Sequence, residues 1–151
     1  MTSKYELFSS TVNCLSRDIQ RIEKTEMAKF GLKGPHAQCL LSMKRYSEGI
    51  TAAELCDLCE KDKAAISRTL SELEQRGLIR RVERNGIRYR SRLMLTEAGM
   101  EAAGAVSHRA QQAVEQAGAG LDDEKCEIFY QVLALITKNL HTICRDGLKE
   151  D

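Results

Sequence analysis

Apolar positions recur at helical spacing over most of the chain and switch once to a short alternating pattern. Leu7, Leu15, Ile19, Ile22 and Phe30 predict a first helix over 4–30. Gly31, Gly34 and Pro35 break it, and Pro35 suits the first turn of a new helix over roughly 35–46. SEGI at 47–50 reads as a loop. Thr51 with Glu54 three residues later forms a capping box and opens a short helix ending near Glu60. Asp62 caps the next helix, which buries a stripe of Ile66, Leu70 and Leu73, runs through Arg76 and stops at Gly77.

The period then changes. LIRRVER and IRYRSRLML flank Asn85-Gly86, a strong hairpin signal. With those two residues as the loop, Val82 faces Tyr89 and Leu78 faces Leu93 on one side, while Arg81 lies opposite Arg90 on the other. Like charges opposed across two strands repel, and a polyanion beside them would relieve the repulsion. After Thr96, an N-cap, a long helix runs to about Ala117 and ends in Gly118-Ala119-Gly120. Asp122, Asp123 and Glu124 place acids at the positive end of a last helix. Its apolar residues Ile128, Phe129, Val132, Leu135, Ile136, Leu140 and Ile143 cover more than a narrow stripe, and the first helix is similar. Both ask for a partner beyond one small core, as in a helical dimer.

Composition narrows the class. The 151 residues suit about one domain, and one Pro with no Trp favours a mainly helical chain. No apolar run approaches the roughly 20 residues that span a bilayer. Lys4 and Glu6 interrupt any signal-peptide core, so a cytoplasmic protein without a membrane partner is expected. The charge is unevenly spread. From Lys61 to Thr96 there are ten basic residues against four acidic, a net of +6, whereas the rest of the chain holds 13 basic and 18 acidic, a net of −5. The near-neutral total hides one basic region suited to phosphate.

Within it, the helix after Asp62 turns Lys63, Ser67, Arg68 and Ser71 largely away from the apolar stripe. Short polar side chains mixed with cations can reach base edges without steric trouble. A helix, a tight turn, a second helix and an arginine-rich ribbon are the parts with which a small domain reads duplex DNA.

The stretch TAAELCDLCEKDKAAISRTLSELEQRGLIRR and LTEAG at 95–99 resemble the MarR family of bacterial transcription regulators, as does the order of elements. The resemblance implies a mainly α fold with a small two-stranded β wing. It implies a single domain over 1–151: a winged helix-turn-helix lobe at 35–99, flanked by dimerisation helices at 1–34 and 100–151. It also implies a homodimeric, non-enzymatic regulator, mostly a repressor in this family, on a near-palindromic duplex operator. Release by a small phenolic or anionic effector is part of the same pattern. The DNA-binding positions it points to are Lys63, Ala64, Ala65, Ser67, Arg68 and Ser71 on the recognition helix and Arg84, Arg88 and Arg90 on the wing. The family's wing motif, Asp-x-Arg, would fall at Ile87 and Tyr89 and is absent.

Other chemistry is thinner. Cys56 and Cys59 form a C-x-x-C, but no second such pair exists to complete a four-cysteine zinc site, and both fall where the family packs small core residues. Peroxide-sensing relatives carry a first-helix cysteine that would map to Ser9, with tyrosine partners at Glu23 and Gly34; Cys14 is more than a turn away. A redox-sensing regulator using Cys56/Cys59 or Cys14 is the alternative function. His36, His108 and His141 are scattered, so no metal or cofactor is expected.

Overall fold

The computed structural model describes residues 3–84 and 87–149, with the side chains of 84 and 87–90 outside that description. The chain divides into two compact units, Met1–Gln112 and Ala113–Asp151. In order, the elements are α1 (Lys4–Ala28), α2 (Gly34–Lys44), α3 (Ala52–Cys59), α4 (Lys63–Gln75), β1 (Ile79–Arg84), β2 (Ile87–Leu95), α5 (Glu97–Ala117) and α6 (Asp123–Asp146). Every expected helix is present.

The starts follow local chemistry. Ser3 and Thr51 each cap a helix reciprocally with a glutamate three residues on, and Asp62 and Asp122 accept from Ala65 N and Lys125 N. Such side chains satisfy amide donors that the first turn leaves without partners. Pro35 sits in the first turn of α2, and Gly77, at φ +70°, ends α4 where a side chain would be strained.

In the first unit, α2, α3, α4 and the base of the ribbon close on one core. Leu40, Leu55, Leu70, Leu73 and Leu93 are fully buried together with Met27 of α1 and Val106 of α5. Each such side chain contributes about 1.5–3 kcal/mol relative to exposure. Gly99 lets α5 leave the wing closely: a Cβ there would lie 1.9 Å from the Leu78 carbonyl oxygen.

The ribbon corrects one expectation. Arg84 pairs with Ile87, as a two-residue loop at Asn85-Gly86 requires, although those two residues lie outside the described part. Below it the register slips: Val82 pairs with Arg92, Arg81 with Leu93 and Ile79 with Leu95, so residues 88–91 stand opposite Glu83 alone. Arg81 therefore does not face Arg90, Val82 does not face Tyr89, and Leu78 does not face Leu93. The reason is parity. A continuous register from the turn would put Ile79 and Leu93 on opposite faces, yet both are buried, at 2% and 1% exposure. An odd shift brings them to one face. Two backbone bonds between Leu93 and Ile50, 3.0 and 2.8 Å, pin the result.

Of the second unit, α6 is the main element. It is 24 residues long and buries none of them. Among the described residues no helix is long and apolar enough to cross a membrane.

Candidate nucleic-acid interface

The site begins at the turn between α3 and α4. Glu60 adopts a left-handed conformation (φ 50°), which is uncommon without glycine and ends α3 abruptly. Lys61 and Asp62 complete the turn, and Asp62 Oδ1 accepts from Ala65 N at 2.8 Å. On α4, Ile66, Leu70 and Leu73 point into the core. Because a helix repeats every 3.6 residues, this leaves Lys63, Ala64, Ser67, Arg68 and Ser71 exposed, with Ala65 half-buried. Neither Lys63 nor Arg68 is held in an ion pair among the described residues. Five of the six recognition-helix positions expected from the sequence thus share one solvent-facing surface.

The basic segment is less uniform than its net charge suggests. Arg76 donates to the Gly31 carbonyl oxygen at 2.5 Å. Arg81 donates to Glu74 Oε2 at 3.2 Å, and Arg92 donates to the Gly49 carbonyl oxygen at 2.8 Å. These three cations have structural partners at the root of α4 and the ribbon. Arg80 is exposed and among the described residues meets only the Met94 sulfur, at 3.8 Å, so it joins Lys63 and Arg68 as a cation without an ion pair there. Arg80 was visible in the sequence only as one charge in a run; its placement depends on the slipped register and could not be read there. Arg84, Arg88 and Arg90 lie on the ribbon strands, and their side chains fall outside the described residues.

The cysteines belong mainly to packing. Cys39 and Cys59 are buried in the same core, and burial pushes the Cys39 thiol up to about 12, with the adjacent Cys59 and then Cys56 adding to the effect. A thiol so hard to ionise is a poor nucleophile. Cys56 is half-buried and Cys14 is exposed on α1. Among the described residues no group of three or more His, Cys, Asp or Glu side chains is arranged to hold a metal.

Residues 30–86 match the sequence model of the MarR family. No curated protein matches the chain by sequence. In structure it is similar to a MarR transcriptional regulator from Methanosarcina mazei, with a TM-score of 0.78 at 22% identity over 93% of this chain and 94% of that one. It is also similar to a MarR-family regulator from Silicibacter pomeroyi, with a TM-score of 0.76 at 19% identity, covering 91% and 92% of the two chains. A third, from Listeria monocytogenes and solved with a 26-mer DNA, has a TM-score of 0.74 at 17% identity, covering 94% and 97%. Residues 30–86 are thus similar to the MarR family's sequence model, and the chain has the winged-helix fold of these solved regulators over nearly its whole length.

Proposed function

We propose that this protein is a homodimeric transcriptional regulator that binds duplex DNA. The lobe 35–99 would engage the DNA, and the helices in 1–34 and 100–151 would form the dimer. The carrying observation is the surface of α4, where Lys63, Ser67, Arg68 and Ser71 stand exposed on a helix whose other side is locked into the core. The Listeria neighbour with its 26-mer DNA supports the same use of this fold. In this reading α4 enters the major groove with Ala64 and Ala65 allowing close approach, while Arg80, Arg84, Arg88 and Arg90 meet the backbone or the adjacent minor groove. Repression of a near-palindromic operator, relieved by a small phenolic or anionic effector, is the regulatory form that the family resemblance favours. A DNA-binding regulator of this kind would work in the cytoplasm.

Two copies are favoured by apolar surface. Tyr5, Leu7, Phe8, Val12 and Leu15 of α1 and Phe129, Val132, Leu135 and Leu140 of α6 are exposed in a single chain. An isolated helix of this kind is marginal in water without tertiary packing, and a second copy supplies the same apolar chemistry in return.

The test compares Arg68→Ala with Arg80→Ala on operator and random duplex across a salt series. Arg68→Ala is expected to weaken operator binding far more than random binding, by about 1–3 kcal/mol of discrimination. Arg80→Ala should weaken both alike and flatten the plot of log affinity against log salt by a slope of roughly one. Equal behaviour of the two variants would sink the placement of α4 over base edges.

A further inference from the structure

The recognition helix is tied to the turn between α1 and α2 at two points, and one of them fixes the state of a buried histidine. His36, in the first turn of α2, is 2% exposed. Its Nδ1 accepts the Lys33 backbone N–H at 2.9 Å. A ring nitrogen that accepts cannot carry a proton, so in the neutral imidazole the proton sits on Nε2. That nitrogen lies 2.5 Å from Glu72 Oε2 on α4 and donates to it. One turn further along α4, the Arg76 guanidinium donates to the Gly31 carbonyl oxygen at 2.5 Å.

We propose that His36 is a positioning residue for DNA reading: through Glu72, and alongside the Arg76–Gly31 contact, it sets how α4 is presented. The core stripe of Ile66, Leu70 and Leu73 holds α4 against the lobe, but apolar contacts are non-directional and permit small rotations about the helix axis. Hydrogen bonds are directional and resist them. Both ties reach one short stretch of chain, from Gly31 in the α1–α2 turn to His36 in the first turn of α2, a few residues beyond the end of α1. An element with apolar surface suited to a partner chain is thereby joined, through six residues of backbone, to the helix that faces DNA. Lys33, Lys61 and Arg68 line the same groove as Glu72, so one carboxylate is set among three cations.

This inference rests on the DNA-binding reading, and its test separates the two. Glu72 is more than half exposed, at 55% for its side chain, so its variants should fold. Glu72→Gln and Glu72→Ala remove the same negative charge, but only glutamine keeps an oxygen that can accept from His36 Nε2–H. Measured by operator and random-duplex affinities at fixed salt, Glu72→Gln should hold the discrimination ratio within about twofold, and Glu72→Ala should lower it about fivefold. Without DNA, amide hydrogen exchange along α4 should speed up in Glu72→Ala and not in Glu72→Gln. At position 36, glutamine can place a donor near Nε2 and should spare α4, while asparagine can only imitate Nδ1 and should not. If Glu72→Ala and Glu72→Gln give the same ratio and the same exchange, His36 does not position α4. If exchange differs as expected but no duplex binds the parent, the positioning stands and the DNA reading fails.

Discussion

The lobe from α2 to β2 and the helix α6 solve the problem of apolar surface in opposite ways. In the lobe each helix gives at least two side chains to one core: four from α2, two from α3 and three from α4. In α6 no residue is buried, although Phe129, Leu135 and Leu140 are 51%, 58% and 45% exposed. Both segments are rich in apolar residues, so hydropathy alone does not separate them. What differs is whether a side chain finds its packing within the described chain. The lobe holds α4 with an internal core; α6 buries none of its residues, and its apolar face is the one the proposed dimer would cover. Deleting methyl groups in each region tests this contrast. Leu70→Ala, at a fully buried site, should cost about 2–5 kcal/mol in urea unfolding. Leu135→Ala should cost much less at low protein concentration and progressively more as concentration rises. Equal, concentration-independent losses would break the comparison.

A charged pair on α6 should act on assembly before it acts on the fold. Phe129→Asp with Leu135→Asp places two carboxylates where the proposed interface buries two large side chains. The loss of that burial predicts dimer affinity weakened about a hundredfold or more. Sedimentation equilibrium should show monomer at concentrations where the parent is dimeric, with the lobe's helical signal retained. A variant that sediments like the parent would rule out α6 as a dimer surface.

Much of this was legible in the sequence because it is local. The caps at Thr51 and Asp62, the acids that open the last helix, the stop at Gly77 and the stripe of Ile66, Leu70 and Leu73 all depend on spacings of four residues or fewer, and each appears in the structure. The MarR resemblance rested on these local features and is borne out over residues 30–86. What failed depended on distant residues. The Asn85-Gly86 signal fixes pairing only beside the turn, and the demand that Ile79 and Leu93 share the core overrides it further down. The same holds for charge. A count of ten cations cannot show that Arg76, Arg81 and Arg92 are engaged by Gly31, Glu74 and Gly49, positions far apart in the chain for two of the three. His36 was noted as one of three scattered histidines, and its link to Glu72 spans 36 positions.

The smallest expected effect lies in the lobe's own capping chemistry, and acid should reveal it. Thr51 N–H donates to Glu54 Oε2 at 2.8 Å, the Thr51 hydroxyl donates to the same oxygen at 3.0 Å, and the hydroxyl accepts from Glu54 N at 3.2 Å. The Thr51 backbone bond, and then the hydroxyl bond, hold the Glu54 carboxyl below its ordinary value. A folded-state pKa below the unfolded one means the contribution is complete above the unfolded value and is lost as pH falls through the folded one. Thr51→Ala removes the hydroxyl in both its roles and should cost about 0.5–2 kcal/mol near neutral pH. On acidification through the carboxylate range, the part carried by the charged Glu54 disappears from the parent, so the gap between parent and variant should narrow. It should not close, because the bond from Glu54 N to the threonine oxygen needs no charge. Urea titrations of both proteins at neutral and acid pH decide the matter, and a gap that stays constant or widens in acid would show that the capping box owes nothing to the Glu54 charge.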